Sequence, residues 1–111
     1  MTTIDRDTFK ALQDTAGANF VVELVDAFFE EAPVMLEAMR SALAAGDAEK
    51  FRRAAHSLKS NSLTFGATQL GAIAKDLELS GLQQVSTRTD PLAAVNAEYA
   101  RVTTELRTLC R

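Results

Sequence analysis

The sequence has no tryptophan, one cysteine, one histidine, two prolines and five glycines, and each scarcity excludes something. With Cys110 alone, no internal disulfide is possible. With His56 the only histidine, nitrogen and sulfur ligands number two for the whole chain, whereas a structural zinc site takes about four. Cys110, beside the C-terminus, is read as a half-buried helix-end residue without a redox role. Long apolar runs are missing too. The most apolar stretch, FVVELVDAFF, is interrupted by Glu23 and Asp26 and falls short of the roughly 20 residues that span a bilayer. The first residues, MTTIDRDTFK, are acidic where a signal peptide would be basic and then apolar. Nor is there an excess of positive charge. Twelve Lys and Arg against fifteen Asp and Glu give a net charge of -3, with no electrostatic footprint for nucleic acid. The chain reads as a cytoplasmic, soluble protein with neither a nucleic-acid nor a membrane partner.

What is present points to helices. A length of 111 residues sets an expectation of one domain over 1–111. The 47% hydrophobic and 24% charged fractions are those of an ordinary globular chain. Nineteen alanines and thirteen leucines are strong helix formers, and nowhere do β-branched and polar residues alternate. The class is all-α.

Punctuation divides the chain into five pieces. Asp5 caps a short first helix carrying Phe9 and Leu12, closed by Gly17 in a left-handed conformation. A second run places Phe20, Leu24, Phe28, Met35 and Met39 on the core side up to Leu43 and the Gly46-Asp47 break, with Pro33 expected to kink or split it near Ala32. A third helix runs from Asp47 to about Phe65, closed by Gly66. A fourth carries Leu70, Ile73, Leu77 and Leu79 and ends at Ser80-Gly81. Asp90-Pro91 opens the last, with aspartate as cap and proline in the first turn. Its Leu92, Val95, Tyr99, Val102, Leu106 and Leu109 recur at intervals of 3 and 4, the seam of a nearly antiparallel neighbour. Together these predict an up-and-down antiparallel four-helix bundle with the short first helix as a cap. A coiled-coil dimer through the last helix is the alternative, which sedimentation at 12.0 kDa would reject.

One polar face asks for a function. In DAEKFRRAAHSLKSNSLTF, at about 100° per residue, Phe51, Leu58 and Phe65 share a narrow arc flanked by Ala54 and Ala55. His56 lies on the opposite side. Arg52 and Arg53 precede it by one turn, and Lys59 and Ser60 follow by one turn. Three cations around an exposed imidazole favour an anion there, although a solvated surface histidine has the same spacing. No second histidine, glycine-rich phosphate loop or oriented serine supports another chemistry. A lone accessible imidazole beside cations is left to act as the nucleophile itself, toward phosphorus.

The stretch AAHSLKSNSLTFGATQLGAIAKDLE, residues 54–78, closely resembles the signature of histidine-containing phosphotransfer (HPt) domains, approximately A-H-x-L-K-G-x-x-x-x-x-G-A followed by a helix. Ala55, His56, Leu58, Lys59, Gly66 and Ala67 match it, and the resemblance extends from about Ile4 to the last helix. It implies an HPt-like fold, with His56 as phospho-acceptor through its outer ring nitrogen and Lys59 steadying the phosphoryl group. Glu78 occupies a position where relatives often carry a polar residue near the phosphohistidine. Ser60 departs from the usual glycine, narrowing the approach to the ring. A sensor-kinase dimerisation domain fits less well, because Ser57 stands where an acidic base would follow the histidine.

The function implied is a phosphoryl carrier on His56 between receiver-domain aspartates in a two-component phosphorelay. Accessory roles fall to Ser60, Arg52, Arg53 and Glu78, and docking to Leu63 with part of the second helix. The expected partners are receiver domains of response regulators or a hybrid sensor histidine kinase. The chain acts as a monomer with no cofactor of its own, the receiver supplying Mg²⁺. No ATP-binding domain and no autokinase activity are expected. The competing class is a non-catalytic helical adaptor that binds a receiver without carrying phosphate.

Overall fold

The computed structural model describes residues 3–110, among which there are five helices and no strand: α1 (Arg6–Ala16), α2 (Ala18–Ala45), α3 (Ala48–Thr64), α4 (Thr68–Val85) and α5 (Ala93–Leu109). Among the described residues no helix is long and apolar enough to cross a membrane. Local chemistry explains the first and third starts. Asp5 Oδ1 accepts from the Asp7 backbone N–H at 3.2 Å and Asp47 Oδ1 from that of Lys50 at 3.0 Å, each satisfying a helix-end donor. Gly17 does cap α1, with φ 93° and ψ 137°, which is outside the left-handed helical well the sequence reading assigned to it.

α3 sits at the centre of the packing, against α4 on one side and α2 on the other. α5 packs on α4 and α2, and α1 lies across α2 and α3. Phe51, Ala55 and Leu58 of α3 are fully buried, with Ala54 and Phe65 nearly so, as its periodicity requires. Phe28 packs at a tilt against Phe65 at 5.3 Å and meets Tyr99 edge-on at 5.9 Å, joining α2, the end of α3 and α5. The turn after α3 carries a latch: the Asp5 N–H donates to the Gly66 carbonyl at 2.8 Å. Gly66 has φ 81°, and a Cβ there would lie 2.7 Å from the Asp5 carbonyl oxygen, so glycine is required for both reasons.

Four further expectations are corrected. α2 is one helix through Pro33, not split near Ala32. An interior proline costs about 3 kcal/mol, but Val21, Val25 and Phe28 before it and Met39 after it are buried in the same core. At about 1.5–3 kcal/mol for each such side chain, keeping both halves on the core outweighs the lost hydrogen bond. The buried seam of α2 is Val21, Val25, Phe28, Ala32, Met39 and Ala42; Phe20, assigned to the core, is 50% exposed, and Leu24 and Met35 are half-buried. Leu79 is likewise exposed, and α4 bends at Gly81 (φ 79°) but resumes for a last turn to Val85. Finally, Asp90 does not cap α5: the helix begins at Ala93 with Leu92 as its cap and no side-chain bond. Asp90 and Pro91 form a turn closed instead by the Ala93 N–H on the Asp90 carbonyl.

Candidate functional site

Because the core arc of α3 fixes its rotation, His56 points into solvent, its side chain 54% exposed. The carboxylate of Glu78 reaches it from α4. Glu78 Oε2 lies 2.7 Å from His56 Nδ1, and Glu78 Oε1 lies 3.0 Å from Lys59 Nζ. Glu78 is only 13% exposed, so a residue that could have been an ordinary surface glutamate is built into the site. Its Oε1 is shielded from water and faces the Lys59 ammonium as an ion pair. The Lys59 ammonium, and then the His56 ring, hold the Glu78 carboxyl below the usual carboxylate range against the upward push of burial. Stability from this pairing is present above the ordinary carboxylate range and is lost only as pH falls through the lowered value. Glu78 is thus ionised at neutral pH and can only accept. The bond to Nδ1 therefore needs a proton on Nδ1, which leaves Nε2 as the ring nitrogen not engaged by Glu78.

The three cations do not stand free, as spacing alone implied. Glu49, one turn before, takes Arg52 at 2.5 Å and Arg53 at 3.8 Å. Their Glu-x-x-Arg-Arg spacing was the sequence signal for this, at helical intervals of three and four. Arg52 also lies close enough to Glu78 for attraction to be felt between them. Lys59 is half-buried against α4, whereas Ser60 is exposed beside the ring and donates no hydrogen bond. The approach to His56 is therefore less positive than three free cations would make it, three against two carboxylates.

Apolar groups border the ring. Leu63, two turns on from His56, is 47% exposed and rests over Gly71 of α4, where a Cβ would come within 2.7 Å of its side chain. On the other flank, a groove of about 320 Å³ between α2 and α3 is lined by Val34, Met35, Ala38, Arg53 and Ser57. Val34 of that groove is exposed, and it shares one stripe of α2, at seven-residue intervals, with Ala27 and the half-exposed Phe20. Among the described residues no three His, Cys, Asp or Glu side chains come together as a cation site. Burial, and secondarily Asp26, pushes the Cys110 thiol up, so it stays protonated at neutral pH.

A family model for the Hpt domain matches residues 23–110. The chain belongs to the Hpt family. It is similar in structure to histidine-containing phosphotransfer protein B (HptB) from Pseudomonas aeruginosa PAO1, at 28% sequence identity over 97% of this chain and 94% of that one, with a TM-score of 0.83. No curated protein sequence matches it. Membership makes it a histidine phosphotransfer protein of phosphorelays, where Hpt domains work with receiver domains and kinases. The helical class and the Hpt resemblance read from the sequence both stand.

Proposed function

We propose that this Hpt protein carries its phosphoryl group on Nε2 of His56, taking it from one receiver's aspartyl phosphate and passing it to another. One observation carries the reading: the chain has a single histidine, and that histidine holds its Nδ1 against a carboxylate on a side chain 54% exposed. Nucleophilic attack needs an accessible lone pair and a ring held in one tautomer, and this contact on an exposed ring supports both. Lys59 supplies the cation that meets charge on the moving phosphoryl oxygens. Arg52 and Arg53, which share the Glu49 carboxylate, are accessory, as is Ser60 one turn on from His56. The receiver brings Mg²⁺, which neutralises phosphoryl charge during transfer. The finer architecture belongs to the same reading: α2 to α5 form an antiparallel four-helix bundle, α1 caps it, and the protein works as a cytoplasmic monomer.

Docking uses exposed apolar residues around the His56 face, namely Leu63 on α3 and Val34 on α2, with Ala27 and Phe20 extending the same α2 stripe. Val34→Asp is expected to raise the receiver concentration needed for half-maximal transfer about tenfold, with the maximal rate little changed. An unchanged concentration dependence would move docking away from α2.

The test of the function is transfer of labelled phosphate from a phosphorylated receiver with Mg²⁺. Label that is acid-labile and base-stable is the expected result. Receiver binding without label, across a broad panel, would favour the adaptor reading. Lys59→Ala should slow transfer, by less than about a hundredfold because the ammonium is partly solvated, and Lys59→Arg should recover part of the loss. An unaltered rate in Lys59→Ala would remove Lys59 from the mechanism.

A further inference from the structure

Of the three cations near His56, two are firmly engaged. Glu49 takes Arg52 through two hydrogen bonds, from Nε at 3.2 Å and from a terminal nitrogen at 2.5 Å. Glu78 takes Lys59 at 3.0 Å. Arg53 has only the edge of the Glu49 carboxylate, 3.8 Å from its Nε, and its side chain is 70% exposed. Among the described residues its guanidinium makes no hydrogen bond. Resting on the reading that His56 carries phosphate on Nε2, we propose that Arg53, joined by the Ser60 hydroxyl, binds the phosphoryl group on the α2 side of the ring.

Ring shape and helix geometry give the side. The bonding directions of the two imidazole nitrogens diverge widely. Glu78 holds Nδ1 from α4, so a group bonded to Nε2 is directed away from that carboxylate. Around α3, Lys59 and Leu63 fall on one flank of His56, and both meet α4. Arg53 and Ser60 fall on the other flank, about 60° and 40° round from His56 at about 100° per residue. Arg53 also lines the groove toward α2. The two residues stand one turn before and one turn after the histidine, within reach of its ring. Helical side chains lean toward the N-terminus, which carries the imidazole over the turn bearing Arg53 and aims Ser60 back toward it.

The chemistry fits these donors. In loading, the Nε2 lone pair forms the N–P bond while the P–O bond of the aspartyl phosphate breaks, its electron pair staying with the donor's carboxylate. The group delivered carries three acceptor oxygens and up to two negative charges. A guanidinium is permanently charged and presents parallel N–H donors that fit two such oxygens at once. A contact at 3.8 Å to a carboxylate already shared with Arg52 is readily exchanged for that dianion. Ser60 has a donor to spare. Ser62 and Thr64 of the same helix give theirs to the carbonyls of Leu58 and Ser60, whereas among the described residues the Ser60 hydroxyl donates to none. Lys59 meets the group from the α4 side, so its oxygens lie between two cations.

Phosphoramidate, a small donor that needs no docking surface, loads wild type and the variants, its P–N bond breaking with the electron pair leaving on ammonia. ³¹P NMR then follows loss of the last phosphoryl proton as pH rises. A cation in contact favours the dianion, so Arg53→Gln should raise the midpoint by about half a pH unit, the size expected of an exposed pair. Arg53→Lys should recover most of that shift, and Ser60→Ala should raise the midpoint by a smaller amount. Lys50→Gln removes the same charge elsewhere along the groove, where the ammonium rests on the Ser41 hydroxyl at 3.3 Å, and should follow wild type. A midpoint unmoved in Arg53→Gln, or moved equally in Lys50→Gln, overturns the inference while the carrier reading survives. An unmoved midpoint in Ser60→Ala removes the hydroxyl from the site. Wild type taking no more phosphate than His56→Gln overturns both readings.

Discussion

His56→Gln is expected to take phosphotransfer to background while leaving the fold intact. The side chain is 54% exposed and lies opposite the core arc of α3, so its stability cost should stay within about 0.5 kcal/mol, as for other surface changes. The glutamine amide can still donate to Glu78, which keeps the Lys59–Glu78 pair in place. No other group can take over the chemistry. Ser57 and Ser60 have no base beside them, and Cys110 is a protonated, half-buried thiol on a distant helix end. Labelling from a phosphorylated receiver, with circular dichroism on the same samples, checks both halves. Label on the variant comparable with wild type would end the proposal that His56 is the acceptor.

Phe28→Ala should have the largest effect on stability. Phe28 is 2% exposed and its ring meets both Phe65 and Tyr99, so one truncation loosens α2, the α3–α4 turn and α5 together. Losing a buried phenylalanine costs about 3–5 kcal/mol through lost burial and the cavity left behind. For a domain near this size that lowers Tm by on the order of 10–20 °C. Phe20→Ala, on the same helix but half exposed, should change Tm little, although the two residues look alike in sequence. Equal shifts for the two would mean that the buried seam of α2 has been misassigned.

That contrast marks where the sequence is legible. α3 is easy to read because Phe51, Leu58 and Phe65 leave one choice of buried face, and His56 follows as outward. α2 carries more apolar residues than one face holds. The stripes Phe20–Ala27–Val34 and Val21–Val25–Phe28–Ala32 both repeat at helical intervals, and only packing against α3 and α5 selects the second. Pro33 misleads for a related reason, since propensity is local and the core it would interrupt is not. The Glu49 pairs were readable from spacing. The contact between His56 and Glu78 was not, because they lie 22 residues apart and meet only through the alignment of two helices.

That alignment repeats further along the two helices. Leu63 follows His56 by seven residues, and Glu78 follows Gly71 by seven, while Leu63 rests on Gly71. α3 and α4 thus run in opposite directions, and the two pairs are rungs of one ladder, about 10 Å apart at 1.5 Å per residue. At the lower rung Leu63 lies down across α4 because position 71 has no side chain. A methyl group there would meet the leucine side chain at 2.7 Å, while the nearest backbone atom, the Lys59 carbonyl oxygen, would be in ordinary contact at 3.8 Å. The half-exposed leucine would turn aside and the rails would stay as they are. The pose of an exposed apolar side chain two helical turns from His56 is in effect set by an atom the chain does not have.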